Sequence, residues 1–242
     1  MIFDPFCDFE TRGYLRNTAG EKDLEVVKII EYRSFLAKLD TAFKSLSEID
    51  QLSYQDVLNT HKILFESVYP WAGQDRKQTA PNIAVSKGSI LFAHPDDAKT
   101  AVEHALRIGA NTDSMGRAPG EVMGYLAYGH PFLDGNGRTI IVIHAELAQR
   151  AGISIDWAAT SKFEYLTSLT RELENPGKGY LDINLAPFLS GAVGPGHLAN
   201  HLAGAPGLDG GSEQPFNKVL GRFDDPILKA RYEKQEQQRR EP

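Results

Sequence analysis

The chain has 242 residues, 41% hydrophobic and 24% charged, a soluble globular composition long enough for one large domain or one domain with a tail. A formal net charge of -6 argues against general affinity for the nucleic-acid backbone, which calls for a basic face. The lone cysteine, Cys7, excludes an internal disulfide and a CxxC metal pair, and no window approaches the roughly 18 apolar residues of a membrane span.

The opening MIFDPFCDFETRGYLRN is acidic early and lacks an apolar core, so no signal peptide is expected. The expected location is cytoplasmic, with delivery into another cell by a signal-independent route left open; neither a membrane nor a nucleic-acid partner is expected. From Leu24 to Leu46, Val27, Ile30, Phe35, Leu39 and Phe43 recur at three- to five-residue spacing, which predicts a long amphipathic helix. Ser53 with Asp56 starts a second helix to about Val68, broken by Pro70 and Gly73. Residues 76–95 change character: NIAV and SILF flank SKG, a hairpin signature with Gly88 free to take positive φ.

Helical spacing resumes at DDAKTAVEHALRIG, with Asp96 and Asp97 favouring its N-terminus. A polar linker, ANTDSMGRAPG, leads to the helix EVMGYLAYGH. After Arg138 a buried helix runs to Gly152. Ser161 with Glu164 caps the next, whose inner face is read as Phe163, Leu166, Leu169 and Leu173. YLDINLAPFLSG reads as one more. From Gly191 the sequence turns Gly/Ala/Pro-rich and reads as a linker, followed by a charged helix with a thin apolar edge. The expectation is a mostly α domain over 1–192: an N-terminal helical part (1–50), a hairpin (76–95), and a motif loop with its helix (130–152). A flexible tail, 193–242, follows. His197 and His201, four apart in that tail, have no third ligand nearby, so no metal site is read there.

The chemistry concentrates in HPFLDGNGR, residues 130–138. Placed between two helices, the first ending near His130 and the second beginning near Asn136, Gly135 and Gly137 let the backbone turn and approach a ligand. The second helix presents free N–H groups and its positive dipole end, an anion site. Arg138 adds a forked cation suited to phosphate oxygens. Asp134 would repel a bare phosphate, so its natural role is to hold a divalent cation bridging phosphate oxygens. His130 can take a proton from a hydroxyl. Together these point to a di- or triphosphate bound with Mg²⁺ beside a base, and so to nucleotidyl or phosphoryl transfer.

The loop is similar to the signature of the Fic family, His-x-Phe-x-Asp/Glu-Gly-Asn-Gly-Arg-x-x-Arg. YPWAGQDR resembles the segment preceding that family's flap, NIAVSKGSILFAHP the flap hairpin, and GYLRNTAGEKDLEVVKIIE the opening of members that pair with a small antitoxin. The resemblance implies a helical Fic-like bundle with one β-hairpin flap, and transfer of AMP from ATP to a Tyr, Ser or Thr hydroxyl of a target protein. It implies His130 as general base, Phe132 as loop anchor, and Asp134 as ligand to Mg²⁺. Gly135, Asn136 and Gly137 would line the α- and β-phosphate site, with Arg138 on phosphate oxygens. Ile83, Ala84, Val85, Ser86, Lys87, Gly88, Ser89 and Ile90 would align the target as an added strand.

The second arginine of the signature, expected on the γ-phosphate, is Ile141 here. Losing such a charge-assisted hydrogen bond costs about 1.5–3 kcal/mol of binding. Three outcomes follow: AMP transfer at reduced affinity, transfer of phosphate or another phosphate-linked group, or a catalytically weak binding module. The related Doc toxins also lack that arginine and transfer phosphate, but carry lysine where this chain has Gly137. TRELEN, with Thr170, Glu174 and Asn175, matches the family's inhibitory string but is read as a solvated helix end.

Overall fold

The computed structural model describes residues 2–194, 196–209 and 217–240. In chain order it has α1 (Phe9–Arg12), α2 (Leu24–Ser47), α3 (Tyr54–Phe65), α4 (Arg76–Thr79), β1 (Ile83–Lys87), β2 (Ile90–Leu91), α5 (Ala98–Gly109), α6 (Thr112–Arg117), α7 (Pro119–Gly129) and α8 (Asn136–Arg150). There follow β3 (Ile153–Ile155), α9 (Lys162–Glu174), α10 (Tyr180–Leu185), β4 (Leu189–Gly191), α11 (Leu198–Ala203), β5 (Lys218–Arg222) and α12 (Pro226–Arg240). It is a mostly helical molecule with two small sheets.

Local chemistry explains the helices that set the site. Asp23 caps α2 by accepting the Glu25 N–H, and Val27, Phe35, Leu39 and Leu46 bury one face. Ser53 and Asp56 form the reciprocal capping box of α3. Pro119 opens α7 where a missing N–H costs nothing. α7 is the central helix, packed against α5, α8, α9 and α10. At Gly120 a Cβ would lie 2.5 Å from the Asp182 nitrogen, so only glycine lets α10 approach this closely. Met123 and Leu126 of α7, Leu133 of the loop and Val142 and Ile143 of α8 are fully buried between these helices.

The hairpin forms as expected, with Gly88 at φ 59 in its turn. β1 carries two partners: β2 pairs antiparallel on one edge and β5 antiparallel on the other, with Ile83 opposite Arg222 and Ser86 opposite Lys218. The sheet order is therefore β2-β1-β5. A second small sheet pairs β3 with β4.

Several expectations need correcting. The linker 110–120 contains α6, capped by Asn111 accepting from the Ser114 N–H. Asp97 stands at the start of α5 as expected, but its carboxylate accepts from Tyr232 and caps no N–H of the helix. YLDINLAPFLSG is α-helical only to Leu185, then passes through a 3-10 turn, Ala186–Phe188, into β4. Phe163 points to solvent at 77% exposure; Tyr165 packs on Trp157 in its place. The Gly/Ala-rich stretch includes α11, whose Ala199 and Leu202 join the main core.

The tail is the largest departure. Residues 217–240 lie on the hairpin, where Phe223, Leu228 and Tyr232 bury a cluster with Ala84 and Leu91 of the flap. The signal was the thin apolar edge of the last helix, too sparse to bury itself but enough to cover a hairpin face. Among the described residues no helix is long and apolar enough to cross a membrane.

Candidate active site

α7 ends at Gly129 and α8 begins at Asn136, so the motif supplies the six-residue turn 130–135 between two largely buried helices and the first three residues of α8. Phe132 is fully buried and stacks on His61 with ring centroids 3.8 Å apart. The Asn136 side chain closes the loop, accepting from the Phe132 N–H at 2.9 Å and donating to the Phe132 carbonyl at 2.7 Å. Gly135 sits at φ 76, and a Cβ there would lie 2.7 Å from Phe65 Cε2. Both the conformation and the packing demand glycine. Among the described residues no side chain caps the start of α8, whose first N–H groups have no partner within the helix. Over Gly137 there is open space: a Cβ would meet nothing within 4 Å.

His130 terminates α7 in the left-handed region at φ 41, ψ 56. A non-glycine residue costs about 1–2 kcal/mol there. Arg76 holds it: the buried guanidinium donates from Nε to the His130 carbonyl and from Nη2 to the Ala93 carbonyl, both at 2.7 Å. The imidazole lies flat on Phe92, centroids 3.7 Å apart. Asn217 donates from Nδ2 to His130 Nε2 at 3.3 Å and to the Leu133 carbonyl at 3.1 Å. An amide nitrogen can only donate, so Nε2 carries a lone pair and the ring is set as a base. Burial pushes the His130 pKa well down, and the Arg76 and Lys87 cations add to the effect against the pull of Asp134. The ring is therefore neutral at physiological pH.

A cavity of about 320 Å³ opens beside this ring. Lys87 of the flap, His130, Gly137, Ile141, Trp157 and Leu169 are among its walls. Its lining is mostly apolar, and Ile141 continues that apolar wall where an arginine of the signature would have introduced a cation. The cavity thus combines a base, an uncapped helix start and a greasy chamber able to take a flat heterocycle.

Asp134 and Arg138 do not line the cavity; both turn toward α2. Lys28 Nζ bridges Asp134 Oδ2 at 2.7 Å and Glu31 Oε2 at 2.8 Å, and Arg138 Nη2 donates to Glu31 Oε2 at 2.7 Å. Tyr14 O–H also donates to Asp134 Oδ2, and Tyr69 O–H to Glu31 Oε1. Burial alone would raise the Asp134 pKa, but Lys28 and Arg138 override it and hold the carboxylate well below its usual range. Burial lowers the Lys28 ammonium, yet Asp134 and Glu31 together raise it above its ordinary value.

This network gives Arg138 and Asp134 partners within the protein. Arg138 is held by Glu31 in a buried ion pair and over the Phe65 ring, so its phosphate-facing role is not the arrangement seen. One guanidinium nitrogen, Nη1, stays buried with no partner among the described residues. Asp134 fares similarly: Oδ2 is taken by Lys28 and Tyr14 and Oδ1 by the Gly135 N–H. Of about four lone-pair positions on a carboxylate, three are used and a lysine supplies the positive charge. As arranged, Asp134 is occupied by Lys28 and Tyr14, and among the described residues no group of three or more His, Cys, Asp or Glu could hold a metal ion without oxygens from a substrate.

The Fic/DOC family is matched over residues 51–148, which span α3, the flap, the motif loop and most of α8. This chain contains a Fic/DOC family domain. It is 31% identical over 171 residues to the protein adenylyltransferase VbhT of Bartonella schoenbuchensis, covering 66% of this chain and 34% of VbhT. The chain thus spans about a third of that relative's length. It is 25% identical over 179 residues to the probable protein adenylyltransferase y4lH of Sinorhizobium fredii, covering 70% of this chain and 88% of y4lH. Among solved structures it resembles the Fic domain of Bep8 from a Bartonella species (TM-score 0.61, 15% identity, 78% of this chain and 94% of that one). It also resembles BepC from Bartonella tribocorum, solved with AMPPNP (TM-score 0.57, 17% identity, 73% and 92%).

The Fic-domain loop recruits residues the sequence did not single out. His61 accepts the Gly73 N–H on Nδ1 and bonds the Asp134 carbonyl through Nε2, tying the WAG segment to the motif. Glu31 had a readable signal: it occupies the i+4 stripe Val27–Glu31–Phe35–Leu39, where an isolated charge on a buried face calls for a partner. Glu174, read as a solvated helix end, accepts from Ser89 Oγ at the flap tip. Thr170 lines the cavity.

Proposed function

We propose that this Fic/DOC domain transfers AMP from ATP to a hydroxyl side chain of a target protein, with His130 as the general base. One observation carries the reading. The His130 Nε2 lone pair, which accepts from Asn217, belongs to a ring lining the cavity, close to the start of a helix with no side-chain cap among the described residues. Those amides and the dipole of α8 suit the α- and β-phosphate oxygens, with the glycines of the loop leaving room for them. The target hydroxyl would then attack the α-phosphorus, its proton passing to Nε2 as the α–β bond breaks and pyrophosphate leaves. Flap residues Ile83 to Ile90 would align a Tyr-, Ser- or Thr-bearing segment of the target, and Lys87 brings a cation to the cavity wall.

The names of VbhT and y4lH as adenylyltransferases support this reading, and so does the AMPPNP bound to BepC. Mg²⁺ at Asp134 belongs to the proposal only if Lys28 gives way, so no step above depends on it. Since several neighbours are described as VirB-translocated effectors, we extend the proposal to action inside a recipient cell, with a small antitoxin as the brake in the producing one.

Transfer of phosphate or another phosphate-linked group is the second reading, favoured by Ile141 in an apolar wall and by Arg138 held away. The test is incubation with α-labelled ATP and a cell lysate, alongside His130→Ala. Label on a protein band that the variant cannot produce is expected. Label from γ-labelled ATP alone supports the second reading, and no label with either donor overturns both.

A further inference from the structure

The outer edge of β1 is where an added strand from a target would lie, and in this molecule that edge is taken. β5 pairs along it from Ile83–Arg222 to Ser86–Lys218, and the Phe223 N–H donates to the Asn82 carbonyl at 2.9 Å. The strand leads its first neighbour, Asn217, to the base: Asn217 Nδ2 is 3.3 Å from His130 Nε2 and 3.1 Å from the Leu133 carbonyl. An extended segment thus runs down the flap and delivers one side chain to the catalytic imidazole, and that side chain is an amide.

We propose that residues 217–223 are a built-in occupant of the target-docking edge, with Asn217 standing where an acceptor hydroxyl would stand. An asparagine satisfies the base by donating a hydrogen bond but has no hydroxyl to attack phosphorus, so the segment fills the acceptor site without being consumed. The proposal rests on His130 being the base of the preceding reading. The segment is held by a latch on α12. Tyr232 O–H donates to Asp97 Oδ2 at 2.9 Å and accepts the His94 N–H at 3.0 Å. Gln235 donates to the Leu91 carbonyl at 2.8 Å, Glu236 accepts from Tyr128, and the Arg239 guanidinium lies over the Tyr128 ring.

Being on the same chain, the occupant acts at an effective concentration on the order of millimolar, which a separate target must outcompete. The edge therefore takes an extended peptide, with the modified residue at the position corresponding to 217 and the following residues paired along β1. Specificity then includes the ability to displace β5, and α12 is the element whose release would make the enzyme permissive.

Three measurements on the full chain test this. The first is hydrogen exchange over residues 83–91 in the parent and in Val219→Pro, which removes one N–H and bends β5 off the edge. Faster exchange in the variant is expected; equal rates overturn the docking. The second is incubation of Asn217→Ser and Asn217→Tyr with ATP, followed by mass mapping. In either variant the new hydroxyl attacks the α-phosphorus, pyrophosphate leaves, and AMP should appear on residue 217 at a rate independent of protein concentration. Asn217→Ala should stay unmodified at that position. If lysate targets are labelled while neither variant labels itself, the acceptor-site proposal fails and the transferase reading stands. If nothing is labelled, the transferase reading and the acceptor-site proposal both fail, and exchange decides docking alone. The third is Tyr232→Ala, which should lower the target concentration for half-maximal labelling at least about tenfold; an unchanged value overturns the latch.

Discussion

Replacing Glu31 with glutamine probes how the motif is held. Lys28, Arg138, Glu31 and Asp134 form a neutral cluster of two cations and two carboxylates, and Glu31 within it is fully buried with three donors on its oxygens. Glu31→Gln keeps the shape but leaves one uncompensated positive charge inside the protein. Breaking a buried pair from one side costs about 3–5 kcal/mol, because the remaining charge stays desolvated. For a chain of this length that corresponds to a fall in Tm of roughly 6–20 °C, at about 2–4 °C per kcal/mol. The assay is urea unfolding followed by the fluorescence of Trp71 and Trp157, both buried. The freed Arg138 should also find an anion, so ATP should stabilise the variant more than it stabilises the parent. A loss below about 1 kcal/mol with unchanged ATP binding would refute the reasoning, since the cluster would then be solvated and Arg138 already available.

Acid should weaken the fold through two fully buried histidines. Burial lowers His61 to about 3 and His144 to about 4, while unfolded histidine takes its proton near pH 6.5. Below that pH the unfolded chain binds more protons, so stability falls by about 1.4 kcal/mol per unit per histidine, or roughly 4 kcal/mol for both between pH 7 and pH 5. Urea midpoints at the two pH values check this, and no change contradicts it. Gly135→Ala should cost about 2–4 kcal/mol, combining the left-handed backbone with a Cβ driven against Phe65, and should abolish transfer; parent-like stability would mean the loop relaxes freely. Ile141→Arg should tighten ATP binding about tenfold or more by calorimetry, since one charge-assisted hydrogen bond contributes about 1.5–3 kcal/mol; no gain would place the γ-phosphate elsewhere. Lys28→Met should uncover Asp134 and make nucleotide binding respond to Mg²⁺, a response the parent should show weakly.

The parts legible in the sequence were those set by local pattern. The caps Ser53 and Asp56, the Gly88 turn, and the boundaries at Gly129 and Asn136 all follow from residues within one or two turns of each other. The motif loop could be read because turn chemistry, a helix start and a histidine are contiguous. What stayed hidden was decided across the fold. Nothing near Asp134 in sequence announces Lys28, 106 residues away, and nothing near His130 announces Asn217, 87 residues away. Phe163 was misplaced because α9 packs only partly, so helical spacing alone could not say which side faces inward. The docking of the terminal helix is hidden in sequence because its thin apolar edge, with Leu228 and Tyr232, does not announce which surface it covers.

Intact-mass analysis after incubation with ATP and a lysate-derived target, comparing the parent with His130→Ala, tests the central claim most directly. The account predicts a target mass increase equal to one AMP that requires His130. An increase equal to one phosphate, or an AMP adduct formed equally well by the variant, would contradict it.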